Sequence, residues 1–326
     1  MLYPLCFVPR LKERIWGGRK LADLYGRKIE GSAPIGESWE ISDRPGDESE
    51  IANGPLAGRS LRWVMEHHGR ELFGRELPAA FRFPWLAKIL DAREDLSLQV
   101  HPPAEIAPQM RGEPKTEIWY IAAAEPGACL YVGLRQGATR EEFERRIADG
   151  TVAECFHRVA VKVGDVMFLP SGRVHALGGG IVLFEIQQNS DTTYRVFDWN
   201  RVGLDGRPRE LHIAQSLASI DFSDIEPSLA PDRFTPLTVG VEIRALAEHP
   251  AFKIVLHRYQ AGAHLTFAPG KLRLVASVDG TFRLSAAGRE VDLSAGGFGL
   301  IPAAVECVCS TTVGGQLIVV EESSAA

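Results

Sequence analysis

The run Gly164-Asp-Val-Met-Phe-Leu-Pro170-Ser-Gly172-Arg-Val-His175 constrains this chain more than any other segment. Its glycines and proline suit a tight turn between two strands. Such a turn sets His175 on the strand that follows, facing inward. The pattern returns near the end of the chain as Gly296-Gly-Phe-Gly-Leu-Ile-Pro302, again with a proline six residues after a glycine. Five residues past Pro170 stands His175; five past Pro302 stands Cys307. The echo predicts two β units of one kind, with the metal-ligating position kept only in the first.

The rest of the chain agrees. Short apolar runs at 117–122, 165–169, 181–187 and 193–198 are bounded by turn residues and read as strands. Helical patterns are fewer: 61–67, 139–148 and 210–219. The second has Thr139 as N-cap, Glu142 three residues on as a capping box, and Gly150 to end it. The proline-rich polar stretch 227–236 is the best boundary. It divides the chain into a catalytic unit with helical elements (1–230) and a β unit (237–326). A length of 326 residues fits about two domains at roughly 100–200 residues each.

Composition excludes several classes. A net charge of −6 gives no global basic field for nucleic acid. No apolar run approaches the roughly 20 residues that span a bilayer, and the N-terminus has no leader pattern. The five cysteines are odd in number and lack a CxxC pair, which argues against a disulfide framework and for the cytoplasm. Cys307 and Cys309 read as small core residues. No GxxxxGK[ST] phosphate loop occurs, so nucleotide chemistry is not expected.

Gln99-Val-His101 carries the next signal. Residues two apart on a strand share a face, so an amide and an imidazole aim into one interior. Glu117 is followed by Ile-Trp-Tyr-Ile, where a carboxylate is costly to bury unless paired or metal-bound. With His175 these residues form a mixed N/O set that suits one divalent ion, zinc first, with iron, manganese or cobalt as alternatives.

The spacing from Gly164 to His175 resembles the second signature of the cupin superfamily. It departs from it at Gly179, where asparagine is common. Most of the chain resembles the short bacterial class of type I phosphomannose isomerases. The resemblance is carried by Arg14-Ile-Trp16-Gly-Gly, Gly36-Glu-Ser-Trp39-Glu-Ile-Ser42, Lys88-Ile-Leu-Asp-Ala-Arg93, Leu98-Gln-Val-His-Pro102, Lys115-Thr-Glu117, Pro170-Ser-Gly-Arg-Val-His175 and the run from Glu185 to Trp199. It implies a mainly β fold of two cupin (jelly-roll-like) barrels with a few inserted helices. It also implies zinc on Gln99, His101, Glu117 and His175, and a sugar-phosphate pocket lined by Lys88, Lys115 and Arg195. The reaction implied is the interconversion of mannose 6-phosphate and fructose 6-phosphate through a cis-enediol.

Lys115 and Arg195 are the expected catalytic residues. Lys115 lies two residues from Glu117 and is expected to shuttle protons with a lowered pKa. Arg195 offers a planar fork to phosphate or an enediolate oxygen. Lys88, Arg14, Trp16, Glu40 and Ser42 are expected to hold the substrate, with Asp91 or Glu94 as alternative partners of Lys88. The expected partner is a small sugar phosphate, and the expected state a monomer or small homo-oligomer. The competing readings are a non-catalytic sugar-phosphate-binding regulatory cupin, a metal isomerase of an unphosphorylated sugar, and a cupin oxygenase.

Overall fold

The computed structural model describes residues 1–323. Four antiparallel sheets carry the architecture. A six-stranded sheet runs in the order Arg10–Gly18, Ile35–Ile41, Trp85–Ala92, Ile181–Gln188, Glu117–Ala124, Val166–Leu169. It faces a five-stranded sheet ordered Tyr194–Phe197, Leu98–Val100, His175–Leu177, Cys129–Leu134, Phe156–Ala160. Leu90, Trp119 and Ile121 of the first sheet pack with Leu130, Val132 and Leu177 of the second. The second unit repeats the scheme. Its seven-stranded sheet is Leu5–Cys6, Phe298–Ile301, Arg273–Gly280, Gly315–Glu321, Phe252–Tyr259, Val241–His249, Thr235–Thr238. Its four-stranded sheet is His264–Phe267, Cys307–Ser310, Phe282–Ala286, Arg289–Leu293. The fold is mainly β and jelly-roll-like, as expected. One detail differs: each unit is an open pair of facing sheets, since no ladder joins the two sheets into a closed barrel among the described residues.

Strand alternation explains both the core and the site. In Trp85–Ala92 the residues Trp85, Ala87 and Ile89 point to one face, and Leu90 and Ala92 to the other. The first set joins Ile118, Tyr120, Val182 and Phe184 in a cluster that also takes Phe252, Ile254, Leu256, Ile318 and Val320. The six- and seven-stranded sheets are therefore packed back to back. Phe184 stacks on Phe298 across that layer, with ring centroids 5.6 Å apart. The other face of the six-stranded sheet looks into the first unit and carries the polar residues described below.

The echo is visible in three dimensions. Gly164 and Gly296 both adopt positive φ, +87° and +77°, which an L side chain strains to reach. Each precedes a strand, Val166–Leu169 or Phe298–Ile301, and His175 and Cys307 each open the strand beyond the next turn. The helix Arg140–Asp149 starts as expected, with Thr139 Oγ1 accepting from Glu142 N at 3.2 Å. Only half of the capping box forms, because the Glu142 carboxylate turns to Arg135 and Arg146 instead. The helix Leu61–Phe73 runs further than its sequence pattern, and Ile213–Ser219 starts later than 210. All five cysteines are unpaired, and no helix among the described residues is long and apolar enough to cross a membrane.

Candidate active site

Three strands of each facing sheet bring the chemistry together. Gln99 and His175 are register partners in the five-stranded sheet, and Arg195 pairs with Gln99 on its other side. Glu117 opens its strand in the six-stranded sheet, and Lys88 and Glu185 are register partners two rungs further in. The ligating atoms of His101, Glu117 and His175 lie within 4.8 Å of one another, and all three residues are buried. Glu117 Oε1 is 3.4 Å from His175 Nε2 and 3.8 Å from His101 Nε2.

The imidazoles are set for ligation. His101 Nδ1 donates to Thr192 O at 2.8 Å, and His175 Nδ1 donates to Arg173 O at 2.9 Å. Each Nε2 is then left as a lone pair aimed inward, the usual arrangement behind a metal-bound histidine. Burial, with Lys115 adding to it and Glu117 opposing, brings His101 down to about 4, so it is neutral. Burial also lowers His175. Glu117 Oε1 is fully buried and has no hydrogen-bond donor. Burial alone would raise the Glu117 carboxyl, yet the Lys115 ammonium beside it holds it well below the usual range. The Gln99 amide end lies 3.3 Å from His175 Nε2. An ionised, unsatisfied carboxylate, two inward lone pairs and an adjacent amide fit a divalent cation on chemical grounds.

A buried chain of charge surrounds this cluster. Lys115 Nζ is 2.5 Å from Glu117 Oε2 and 3.9 Å from Glu185 Oε1. Glu185 Oε1 is also 3.2 Å from Lys88 Nζ, and its Oε2 accepts from Trp119 Nε1 at 2.9 Å. Burial would lower Lys115, but Glu117 first and Glu185 next outweigh it and hold the ammonium above the ordinary lysine range. The expected lowering of Lys115 is thus reversed, because two carboxylates face it. The expected partner of Lys88 is corrected as well: Glu185 takes it, while Asp91 accepts the Lys20 backbone N–H at 2.7 Å.

A cavity of about 580 Å³ opens beside the cluster, lined by Lys88, Gln99, Lys115 and Arg195 together with Arg14 and Trp16. Arg14 is fixed by Glu37 through bonds of 3.1 and 3.0 Å. Trp16 sits against Gly36, where a Cβ would lie 2.6 Å from the indole, so glycine is needed there. Arg195 Nη1 donates to Glu210 O at 2.8 Å, and its Nε is buried without a partner.

Glu40 and Ser42 are not brought to this cavity. Along Ile35–Ile41 the inward residues are Glu37 and Trp39, so Glu40 turns to the back-to-back layer. There it takes Arg27 at 2.8 Å and Ser38 Oγ at 2.5 Å. Ser42 serves the following turn, its Oγ accepting from Arg44 N. Glu37, Glu185, Ser97, Asp191 and Arg209 line the cavity and were missed. Glu185 had a readable signal, being a carboxylate inside an apolar strand like Glu117. The loop residues had none. Gly179, where asparagine is common, is explained by crowding: a Cβ would lie 2.9 Å from Arg93 O.

Two facing jelly-roll sheets with imidazoles and a carboxylate converging between them define a cupin-type metal-site protein. Residues 5–126 match the family model for the phosphomannose isomerase type I catalytic domain. The probable mannose-6-phosphate isomerase GmuF of Bacillus subtilis is 37% identical over 306 residues, covering 93% of this chain and 94% of that protein. The crystal structure of the mannose 6-phosphate isomerase from Bacillus subtilis superposes with a TM-score of 0.89 at 31% identity, covering 98% and 99% of the two chains. A zinc-bound mannose 6-phosphate isomerase shares the fold at TM-score 0.77 and 18% identity, covering 99% of this chain and 100% of that one. The chain belongs to the type I phosphomannose isomerase family, and it is an isomerase of that family.

Proposed function

We propose that this chain interconverts mannose 6-phosphate and fructose 6-phosphate in the cytoplasm, using one zinc ion held by Gln99, His101, Glu117 and His175. The observation that carries this reading is the buried pair Lys115–Glu117 at 2.5 Å, which ties a charged proton donor to the metal-ligand set beside a cation-lined cavity. A metal ion on these ligands supplies Lewis-acid stabilisation of a substrate oxygen. The zinc-bound relative of the same fold supports the choice of ion.

The chain's own groups supply the rest. Aldose–ketose isomerisation moves a proton between C1 and C2, and negative charge develops on the carbonyl oxygen as the C–H proton leaves. Lys115, kept protonated by Glu117 and Glu185, gives one proton to that oxygen and its amine takes up the proton leaving carbon, so the ammonium is restored as the cis-enediol forms. Arg195 has a buried Nε with no partner and offers it to the enediol oxygens or the phosphate. Lys88 and Arg14 are held by Glu185 and Glu37 at fixed positions on the wall, which suits an anionic substrate. Trp16 and Trp119 exclude water from one side.

The test is turnover of mannose 6-phosphate by zinc-loaded protein, with fructose 6-phosphate read in a coupled assay. Turnover that disappears on chelation and returns with zinc supports the reading. Absence of turnover in protein carrying stoichiometric metal overturns it.

A further inference from the structure

The echo between the two units reaches into the site itself. Phe267 stands opposite Cys307 as Gln99 stands opposite His175. Arg273 lies between Ile301 and Glu321 as Glu117 lies between Leu169 and Gln187. Along the same ladders Val255 pairs with Val319 as Lys88 pairs with Glu185. His257 then takes the place of Leu90, and both pair with a leucine. The second unit has exchanged Gln99, His175, Lys88 and Glu185 for Phe267, Cys307, Val255 and Val319, while Lys271 and Arg273 stand where Lys115 and Glu117 do and both pair with Glu321, at 3.0 and 2.7 Å.

The space has not closed. The corresponding end of the second unit holds a cavity of about 260 Å³, walled by Ile243, Val255, Leu265, Phe267 and Val319. His257 lines it, is only 7% exposed, and has a buried Nδ1 without a hydrogen-bond partner. Its ring lies 6.0 Å from that of Phe267 and 6.2 Å from that of Tyr259. That Nδ1 is closed off even to water, so a ligand would meet the ring at Nε2, which has no hydrogen-bond partner among the described residues. Drug-sized ligand pockets start at roughly 300 Å³, so this one suits a single ring. Burial, opposed by Glu321 and aided to a smaller extent by Arg273, brings His257 down to about 4, so the imidazole is neutral. Lys253 and Glu321 both line the cavity, so its wall carries no net charge that calls for an ionic ligand.

We propose that this cavity is a second small-molecule site, which takes a neutral single-ring aromatic alcohol, its ring against the apolar walls and its hydroxyl on His257. The site is separate from the metal cluster and lies wholly in the second unit.

The test is calorimetric titration of p-cresol into the full-length, zinc-loaded protein, with mannose 6-phosphate present to fill the larger cavity. The expected result is one saturable site per chain with a Kd of about 1 mM or tighter. His257→Leu should weaken binding by about tenfold, while His257→Gln, which keeps a hydrogen-bonding group, should retain most of it. Val255→Trp should fill the cavity and abolish binding. No saturable heat up to about 10 mM overturns the proposal. So does equal affinity in the wild type and His257→Leu. If Val255→Trp does not fold, the leucine and glutamine variants still decide the matter.

Discussion

Lys115 Nζ lies 2.5 Å from Glu117 Oε2, and the other oxygen of that carboxylate faces His101 and His175. The proton carrier and the ligand set therefore share one side chain. Truncating either partner has different consequences. Lys115→Met should lower kcat by about 10²–10⁴-fold, the usual worth of a positioned acid or base, while leaving one zinc per chain. Kinetics together with metal analysis after dialysis check this. Zinc loss equal to that of a ligand mutant would instead make Lys115 a structural counter-ion.

Glu117→Gln should act on the metal first. The variant keeps the shape of the side chain but removes the charge that neutralises Lys115 and draws the cation. His101→Ala and His175→Ala each remove an inward lone pair. All three should lose stoichiometric zinc on dialysis and lose activity with it. A variant that keeps a full equivalent of zinc is not a ligand mutant, and the assignment fails at that residue.

Glu185 ties the two lysines together, Lys88 at 3.2 Å and Lys115 at 3.9 Å, and is itself held by Trp119. Glu185→Gln should keep the Trp119 contact and lose the ion pairs. Both cations then lose their fixed positions, so KM should rise and kcat fall, about 10-fold or more in kcat/KM, with zinc retained. A change in KM alone would confine Glu185 to substrate binding through Lys88.

What the sequence disclosed follows a physical rule. His175 was legible because its motif is local: a glycine, a proline and a strand set its direction within twelve residues. Gln99 and His101 were legible from alternation along one strand. Glu185 and Glu37 were not assigned roles, because these depend on register between strands far apart in the chain, Trp85–Ala92 against Ile181–Gln188 and Ile35–Ile41. Glu40 and Ser42 were assigned to the substrate for the same reason. Nothing in Gly36–Ser42 says which alternate face meets the cavity until the neighbouring strand is in place. The raised pKa of Lys115 owes most to Glu117, two residues away, and needs only the fold to bring the two side chains together, with Glu185, seventy positions away, adding to it.

Stability should depend on pH through His257. Its folded-state value is about 4, against 6.5 for an unhindered histidine, because burial disfavours the charged form. Glu321 and Arg273 face it with opposite effects, and Lys253 shares the cavity. The unfolded chain binds the proton first as pH falls. The neutral ring's contribution is therefore complete above about pH 6.5 and is lost progressively down to about pH 4, with a total on the order of 3 kcal/mol. Glu37, held at about 2 against burial by Lys88 and Arg14, loses its contribution only between about 4.5 and 2, below most of that window. Urea midpoints at pH 7 and pH 5 should fall for the wild type and fall less for His257→Leu. An equal fall in both proteins would place the pH dependence on other groups.

The cluster between the six- and seven-stranded sheets bears on how the chain unfolds. Phe184 from the first unit and Phe298 from the second stack at 5.6 Å, and Ile254, Leu256, Ile318 and Val320 complete the layer from the second side. The N-terminal strand Leu5–Cys6 pairs with Phe298–Ile301, so the first residues of the chain belong to the second unit's sheet. We propose that the boundary at 227–236 divides the architecture without dividing the folding unit. Separating the halves would expose a large apolar face on each, at roughly 25 cal/mol per Å². A single calorimetric transition is expected, with calorimetric and van't Hoff enthalpies equal. Phe184→Ala should destabilise the protein by about 3–5 kcal/mol and shift that one transition without splitting it. Two resolved transitions in the wild type would show the units to be independent, and a fragment of residues 1–230 that folds and binds zinc by itself would show the same.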